Sequence, residues 1–184
     1  MNRTITAAIG VLALSSIALT GCSSSHAVGS RAELYDSVSG LAADSSIILS
    51  GTVQEQEIAH DIPGGGVFTL STVVVDTTAK TDSNHPDGST VVVRQHGSAR
   101  DPGPGAMLEQ GKTYLLYLHP SGLDGDLASH FSVTGGTAGV YETEQDTAAR
   151  STGGVTGDTE FTKAPSDEGD ELPAELTLDD ALEG

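Results

Sequence analysis

The 184-residue chain sets 26 acidic against 8 basic side chains, for a net charge of −18. Such a field repels phosphate backbones and anionic headgroups, which excludes a nucleic-acid binder. A single cysteine excludes an internal disulfide and any cysteine-built structural zinc site.

In chain order, Met1-Asn2-Arg3 supplies one basic side chain and TITAAIGVLALSSIALTG then runs uncharged and largely apolar, the layout of a secretory signal peptide. The run falls short of the roughly 20 apolar residues a spanning helix needs, and Ser-rich SSSHAVGS follows it in place of a basic stop-transfer patch. Leu19-Thr20-Gly21-Cys22, an aliphatic residue, two small residues and the one cysteine, resembles the lipobox of bacterial lipoprotein precursors. The resemblance implies cleavage before Cys22 and a diacylglyceryl group on its sulfur, which puts the protein on the extracytoplasmic face of the cell membrane. Two acyl chains on one sulfur meet the need for two signals in stable anchoring. The expected organisation is a signal peptide over 1–21, a lipidated Ser/Gly-rich tether over 22–30, a β-barrel domain over 31–143 and an acidic tail over 144–184.

The domain opens with SRAELYDSVSGLAADS, where Leu34, Val38 and Leu41 recur at helical spacing behind Ser30, a candidate N-cap with Glu33 three residues on. The period then drops to two. In SSIILSGTVQEQE, Ile47, Leu49, Gly51 and Val53 share one face and Ile48, Ser50, Thr52 and Gln54 the other, as in a half-buried strand. GVFTLSTVVVDT is β-branched on both faces toward its end, which predicts a cover on its outer side. STVVVRQHG, KTYLLYLHP, HFSVTG and AGVYET complete six strands, joined by Gly/Pro/Asp-rich turns such as HDIPGGG, ARDPGPGAMLEQG and HPSGLDGDLAS. An all-β barrel or sandwich with one N-terminal helix follows.

Taken together, LSGTVQE, FTLSTVVVD, STVVVRQHG, LEQGKTYLLYLHP and FSVTGGTAGVYET, over Ser46 to Thr143, resemble the small OB-fold-like barrel of netrin-type and tissue-inhibitor-like domains. The most specific parts are Gly111 to Leu118 and Val133 to Thr137. The resemblance implies a fold and not a chemistry. Protease inhibition by the animal domains depends on an exposed, disulfide-linked N-terminal cysteine, whereas Cys22 would be lipidated and has no second cysteine to join. The expected fold class is therefore mainly β: a small OB-fold-like antiparallel β-barrel with an N-terminal helix and an acidic, disordered C-terminal tail. From Ser166 to Gly184 there are eight acidic residues and no basic one, so the tail is expected to stay solvated. Within it, Leu172, Leu176, Leu178 and Leu182, with Thr177 and Asp180 placed as a capping box, outline a short helix that would persist only by docking on the barrel.

The six histidines never fall at the i, i+2 or i, i+4 spacing that presents two metal ligands from one element. DSNHPDG places Asp82, Asn84 and Gly88 near the spacing of a calcium loop, but Pro86 takes the third ligand position and no bidentate Glu follows, so it reads as a turn. No nucleophile elbow, HExxH or phosphate loop is present, and Ser98, His96 and Asp101 make a triad only on paper. The reading assigns no catalytic residue, no metal ligand and no cofactor. OB-type barrels bind through the strand 2–3 face and the loops after strands 1 and 4. Those loops are here IAHDIPGGG and HPSGLDGDLASH, and they offer His60, Asp61, His119, Asp124, Asp126 and His130. The expected function is a non-catalytic binding or scaffold module, with a protein, peptide or glycan partner and the membrane held through the lipid. The alternative is an envelope hydrolase or an accessory subunit of one.

Overall fold

A computed structural model of the protein describes residues 34–81, 84–143, 155–166 and 169–183. The signal peptide, Cys22 and its tether, the Ser30–Glu33 cap, Asp82 and residues 144–154 lie outside the described residues. Among those described, no helix is long and apolar enough to cross a membrane.

All six strands read from the alternating pattern are present: β1 (Ile47–Ala59), β2 (Phe68–Lys80), β3 (Thr90–Ser98), β5 (Thr113–Pro120), β6 (His130–Val133) and β7 (Val140–Glu142). A two-residue strand, β4 (Asp101–Pro102), folds back on β3. The ring closes in the order β1-β2-β3-β6-β5 and back to β1; β3 and β6 run parallel and every other neighbour antiparallel. This is a mainly β, OB-fold-like barrel, closed by the long β1 that pairs with β2 on one side and β5 on the other. The register of β1 against β2 shifts at Ser50/Gly51, and a Cβ at Gly51 would lie 2.6 Å from a Val73 methyl and 2.7 Å from the Val74 carbonyl. Glycine there lets β2 approach closely at the bend.

The barrel interior is aliphatic: Ile47, Leu49, Val53, Val73, Val93 and Leu116 belong to one buried cluster. A second cluster lies on the outer side of β1 and β5. Alternation along β5 sends Tyr114, Leu116 and Leu118 inward and Leu115 and Tyr117 outward, and all five are buried. That is why TYLLYL is apolar without a break.

The cover on the outer side comes from two places. One is α1 (Val38–Asp44), capped by Ser37, whose Oγ accepts the Gly40 N–H at 3.2 Å. It starts later than the spacing of Leu34, Val38 and Leu41 predicts, and Leu34 is 57% exposed. Tyr35 is held differently: its N–H donates to Asp170 Oδ1 at 2.8 Å and its carbonyl accepts from Glu171 N–H. Lys80 at the end of β2 donates to the Ala42 and Ser45 carbonyls and so satisfies the helix C-terminus.

The other cover is the C-terminal segment, and here the expectation of a disordered tail is corrected for the residues described. β8 (Glu160–Lys163) pairs with β7 and β9 (Glu175–Thr177) pairs with β8, extending the sheet beyond the ring. Phe161, Leu176, Leu178 and Ala181 are buried while Glu160, Glu175, Asp179 and Asp180 face solvent. The acidity thus decorates one face of a segment whose other face is apolar. Tyrosine hydroxyls hold it: Tyr117 donates to the Ala181 carbonyl at 3.0 Å and Tyr141 to the Pro173 carbonyl at 3.2 Å. The docked turn over Asp179–Leu182 is 3-10 rather than α. Thr177 and Asp180 do pair at its start, the Asp180 N–H reaching Thr177 Oγ1 and that hydroxyl donating to the Asp180 carboxylate.

Candidate functional site

β3 carries one charged side chain, Arg94, directly after the apolar run Val91–Val93. It is almost fully buried, and an isolated buried guanidinium is costly unless paired. Its partner is Asp61, from the loop between β1 and β2: Nη1 donates to Oδ1 at 2.9 Å and Nη2 to Oδ2. The third nitrogen, Nε, points to His130 Nδ1 at 3.4 Å, at the start of β6. The Phe68 ring lies beneath the guanidinium, 4.8 Å from Cζ to centroid, and the His96 ring meets Phe68 edge-on at 5.1 Å. Arg94 therefore ties the loop after β1 to the end of the loop before β6.

This clamp borders a cleft of about 380 Å³, within the usual range for ligand sites. β3 supplies Arg94, Gln95 and His96 on one wall and β6 supplies Ser132 and Val133 on the other. Ile62 and Leu123, one from each flanking loop, line it too, as does Met107. Most of its polar groups are occupied within the protein. Gln95 donates to the Ala106 carbonyl and accepts from the Leu108 N–H, and Ser121 Oγ donates to the Leu127 carbonyl while accepting from the Leu123 N–H. What the cleft offers an incoming molecule is largely apolar surface.

Both titratable partners of Arg94 are shifted downward. Hydrogen bonds from the guanidinium hold the Asp61 carboxyl below its ordinary range. Burial, followed by the Arg94 charge, pushes the His130 imidazole below its ordinary value, with Asp61 and Glu57 opposing.

Of the six residues expected from the sequence, Asp61 and His130 are brought together through Arg94. His60, Asp124 and Asp126 are exposed on the flanking loops, and the His119 ring turns back to its neighbour, the Pro120 carbonyl, at 2.8 Å. The loops were legible; Arg94, Phe68 and His96 were not singled out together. The available signal was a lone arginine inside TVVVRQHG, since a charge in a barrel strand needs a partner from elsewhere. Ser98 accepts from the Asp101 N–H in the turn to β4, while His96 packs on Phe68, so the paper triad is not assembled. Among the described residues, no three His, Cys, Asp or Glu side chains are grouped to hold a metal ion. Comparison with protein-family models, curated proteins and solved structures finds no match for the chain.

Proposed function

We propose that the protein is a non-catalytic binding module on the extracytoplasmic face of the cell membrane, held there by a lipid on Cys22 and capturing its ligand in the cleft between β3 and β6. The lipobox resemblance at Leu19–Cys22 supports the anchor. The observation that carries the binding reading is the cleft itself, because both loops expected to bind contribute to its lining and the clamp at Arg94 holds them in place. Pre-organised walls of this kind lower the entropy cost of capture. Most of its polar groups secure the surrounding chain rather than converge on a reacting atom, which supports binding over catalysis.

A photo-reactive residue in place of Leu123 tests the binding half in cells. It should yield a discrete adduct, and that adduct should vanish when Ser132→Trp fills the cleft. The chain has no natural tryptophan, so blue-shifted emission from the variant reports that the ring is buried and the fold retained. An adduct indifferent to Ser132→Trp would remove the cleft from the reading. For the anchor, Cys22→Ser should move the protein out of the membrane fraction, and continued membrane fractionation after signal cleavage would refute lipidation.

A further inference from the structure

The two walls of the cleft are parallel strands that stop pairing. β3 and β6 are in register only at Val92 with His130 and Val93 with Phe131. Toward β2, β3 uses its odd residues: the Ser89 carbonyl accepts from Val75 N–H and Gly97 N–H donates to the Val67 carbonyl. Alternation then turns the even residues of β3 away from β2; the register with β6 and β4 engages the Arg94 N–H with Phe131 and the His96 carbonyl with Gly103, which leaves the Arg94 carbonyl and the His96 N–H facing the cleft. On β6 the His130 carbonyl accepts from Ser121 N–H and Thr134 N–H donates to the Tyr117 carbonyl, so the even residues serve β5 and the backbone of Val133 faces the opposite way. Between the last rung to β6 and the pairing of β3 with β4, a short stretch of the β3 edge confronts β6 across the cleft with no ladder between them.

The far end of this seam shows what fits there. The segment Ala106–Leu108 of the same chain passes through it. Gln95 fastens that segment to β3 by bonds of 2.6 Å to the Ala106 carbonyl and 2.9 Å from the Leu108 N–H. Thr137 Oγ1 fastens it on the other side by accepting the Ala106 N–H at 3.0 Å. A single polypeptide thickness therefore separates β3 from the turn after β6 at that end, and the cleft continues the same gap.

The charge around the opening is one-sided. Asp124, Asp126 and Glu57 lie on or beside the flanking loops, while Arg94, the one cation of the wall, and Asp61 neutralise each other. An occupant with basic ends and an apolar centre matches both the rim and the lining by Ile62, Phe68, Met107 and Leu123.

We propose that the cleft takes a short extended peptide segment of a partner protein as a strand inserted between β3 and β6, with an apolar side chain seated against Phe68 and Met107 and Lys or Arg at its ends. The proposal rests on the binding-module reading and deepens it. Main-chain hydrogen bonds to the two edges supply affinity and the apolar seat supplies selectivity, as in other strand-addition sites.

The test is a selection with phage-displayed random heptapeptides, panned on the immobilised full-length protein and counter-selected on its Ser132→Trp variant. Enriched sequences should place an apolar residue between basic ones. Each, resynthesised with N-methyl groups on its central amides, should bind about five- to 150-fold more weakly, the loss expected when two or so main-chain hydrogen bonds of roughly 0.5–1.5 kcal/mol are removed. No enrichment over the counter-selected variant, enrichment of acidic sequences, or full affinity after N-methylation would each overturn the inserted strand. If the Leu123 adduct remains sensitive to Ser132→Trp in that event, the binding module stands and only the ligand class falls.

Discussion

Two apolar layers share β5 as their common wall, and they are built in different ways. The inner layer draws on residues 47 to 140 plus Ala164, is mostly aliphatic with Tyr114 and Phe131 as its aromatic members, and is enclosed by the ring of strands itself. The outer layer holds Tyr35, Tyr117, Tyr141 and Phe161, and its cover arrives from the two ends of the described chain. The bond from Tyr35 to Asp170 spans 135 residues and that from Tyr117 to Ala181 spans 64. The difference teaches that closing the barrel does not complete this domain. Leu115 and Tyr117 would face water on a closed ring, so the ring needs α1 and the C-terminal segment as a lid on its outer side.

Removing the lid is the harshest way to break that comparison. A chain ending at Thr143 loses Phe161, Leu176 and Leu178, each worth about 1.5–3 kcal/mol of burial, and uncovers their partners on β5 as well. That consumes most of the roughly 5–15 kcal/mol that stabilises a domain. Circular dichroism and urea unfolding should find the truncated chain largely unfolded. A cooperative transition near that of the full chain would show that the inner layer suffices.

A gentler experiment sharpens the division. Leu115 and Leu116 are neighbours in sequence but belong to opposite layers, and both are fully buried. Each change to alanine should cost about 2–5 kcal/mol. In a background carrying Phe161→Ala, the Leu115→Ala cost should change by about 0.5–3 kcal/mol because the two side chains belong to one cluster, while the Leu116→Ala cost should stay additive. Urea midpoints of the two double-mutant cycles decide it, and equal coupling in both would merge the layers into one.

Smaller still is the effect expected at Ser50. It sits opposite Leu115 on the outer face of β1, wholly buried, with an Oγ that has no hydrogen-bond partner. Ser50→Ala removes that unsatisfied hydroxyl and should raise stability by about 1 kcal/mol. A loss of stability on thermal melting would mean that the hydroxyl has a role the outer layer depends on.

The same two layers explain how far the sequence could be read. The inner one follows from alternation in SSIILSGTVQEQE, TVVVRQHG and TYLLYL, because a strand buried on at least one face repeats every two residues wherever it pairs. β8 and β9 escape that reading: each offers one or two apolar side chains, Phe161 and Leu176 with Leu178, among Glu, Asp and Thr, and composition outweighs so short a pattern. Their fate is decided by the uncovered face of β5, far away in sequence. The early start expected for α1 failed for a related reason, since Tyr35 is claimed by Asp170 and Glu171 before a helix can take it. At the cleft, loop length and polarity pointed to the segments after β1 and β5, which contribute Ile62 and Leu123 to its lining. The clamp was hidden because the partners Asp61, Arg94 and His130 lie on three separate elements and meet only when the ring closes.

The least forceful expected effect separates the outer layer from the cleft by pH. Tyr117 and Tyr141 have hydroxyls pushed well above the ordinary tyrosine range, chiefly by burial. A group whose folded value is raised stabilises the fold below its unfolded value, so this contribution is lost as pH climbs beyond about 10. At the cleft both shifts run downward: Asp61 through its hydrogen bonds from Arg94, and His130 through burial and the Arg94 charge. A depressed group stabilises the fold above its unfolded value, so His130 begins to cost stability below about pH 6.5 and Asp61 below about pH 4. Urea midpoints should therefore be level between about pH 6.5 and 10, fall on the acid side through the cleft, and fall on the alkaline side through Tyr117 and Tyr141 together with the inner layer's Tyr114, which burial also raises. His130→Gln should flatten the first acid step and leave the alkaline limb untouched, while Tyr141→Phe should shrink the alkaline limb, to which Tyr117 and Tyr114 still contribute, and leave the acid steps untouched. Asp61→Asn should lower the whole curve, because it strips the buried Arg94 of its counter-charge, as well as remove the second acid step. An acid limb that survives both His130→Gln and Asp61→Asn would place the acid-sensitive groups elsewhere in the chain and separate the clamp from the stability of the barrel.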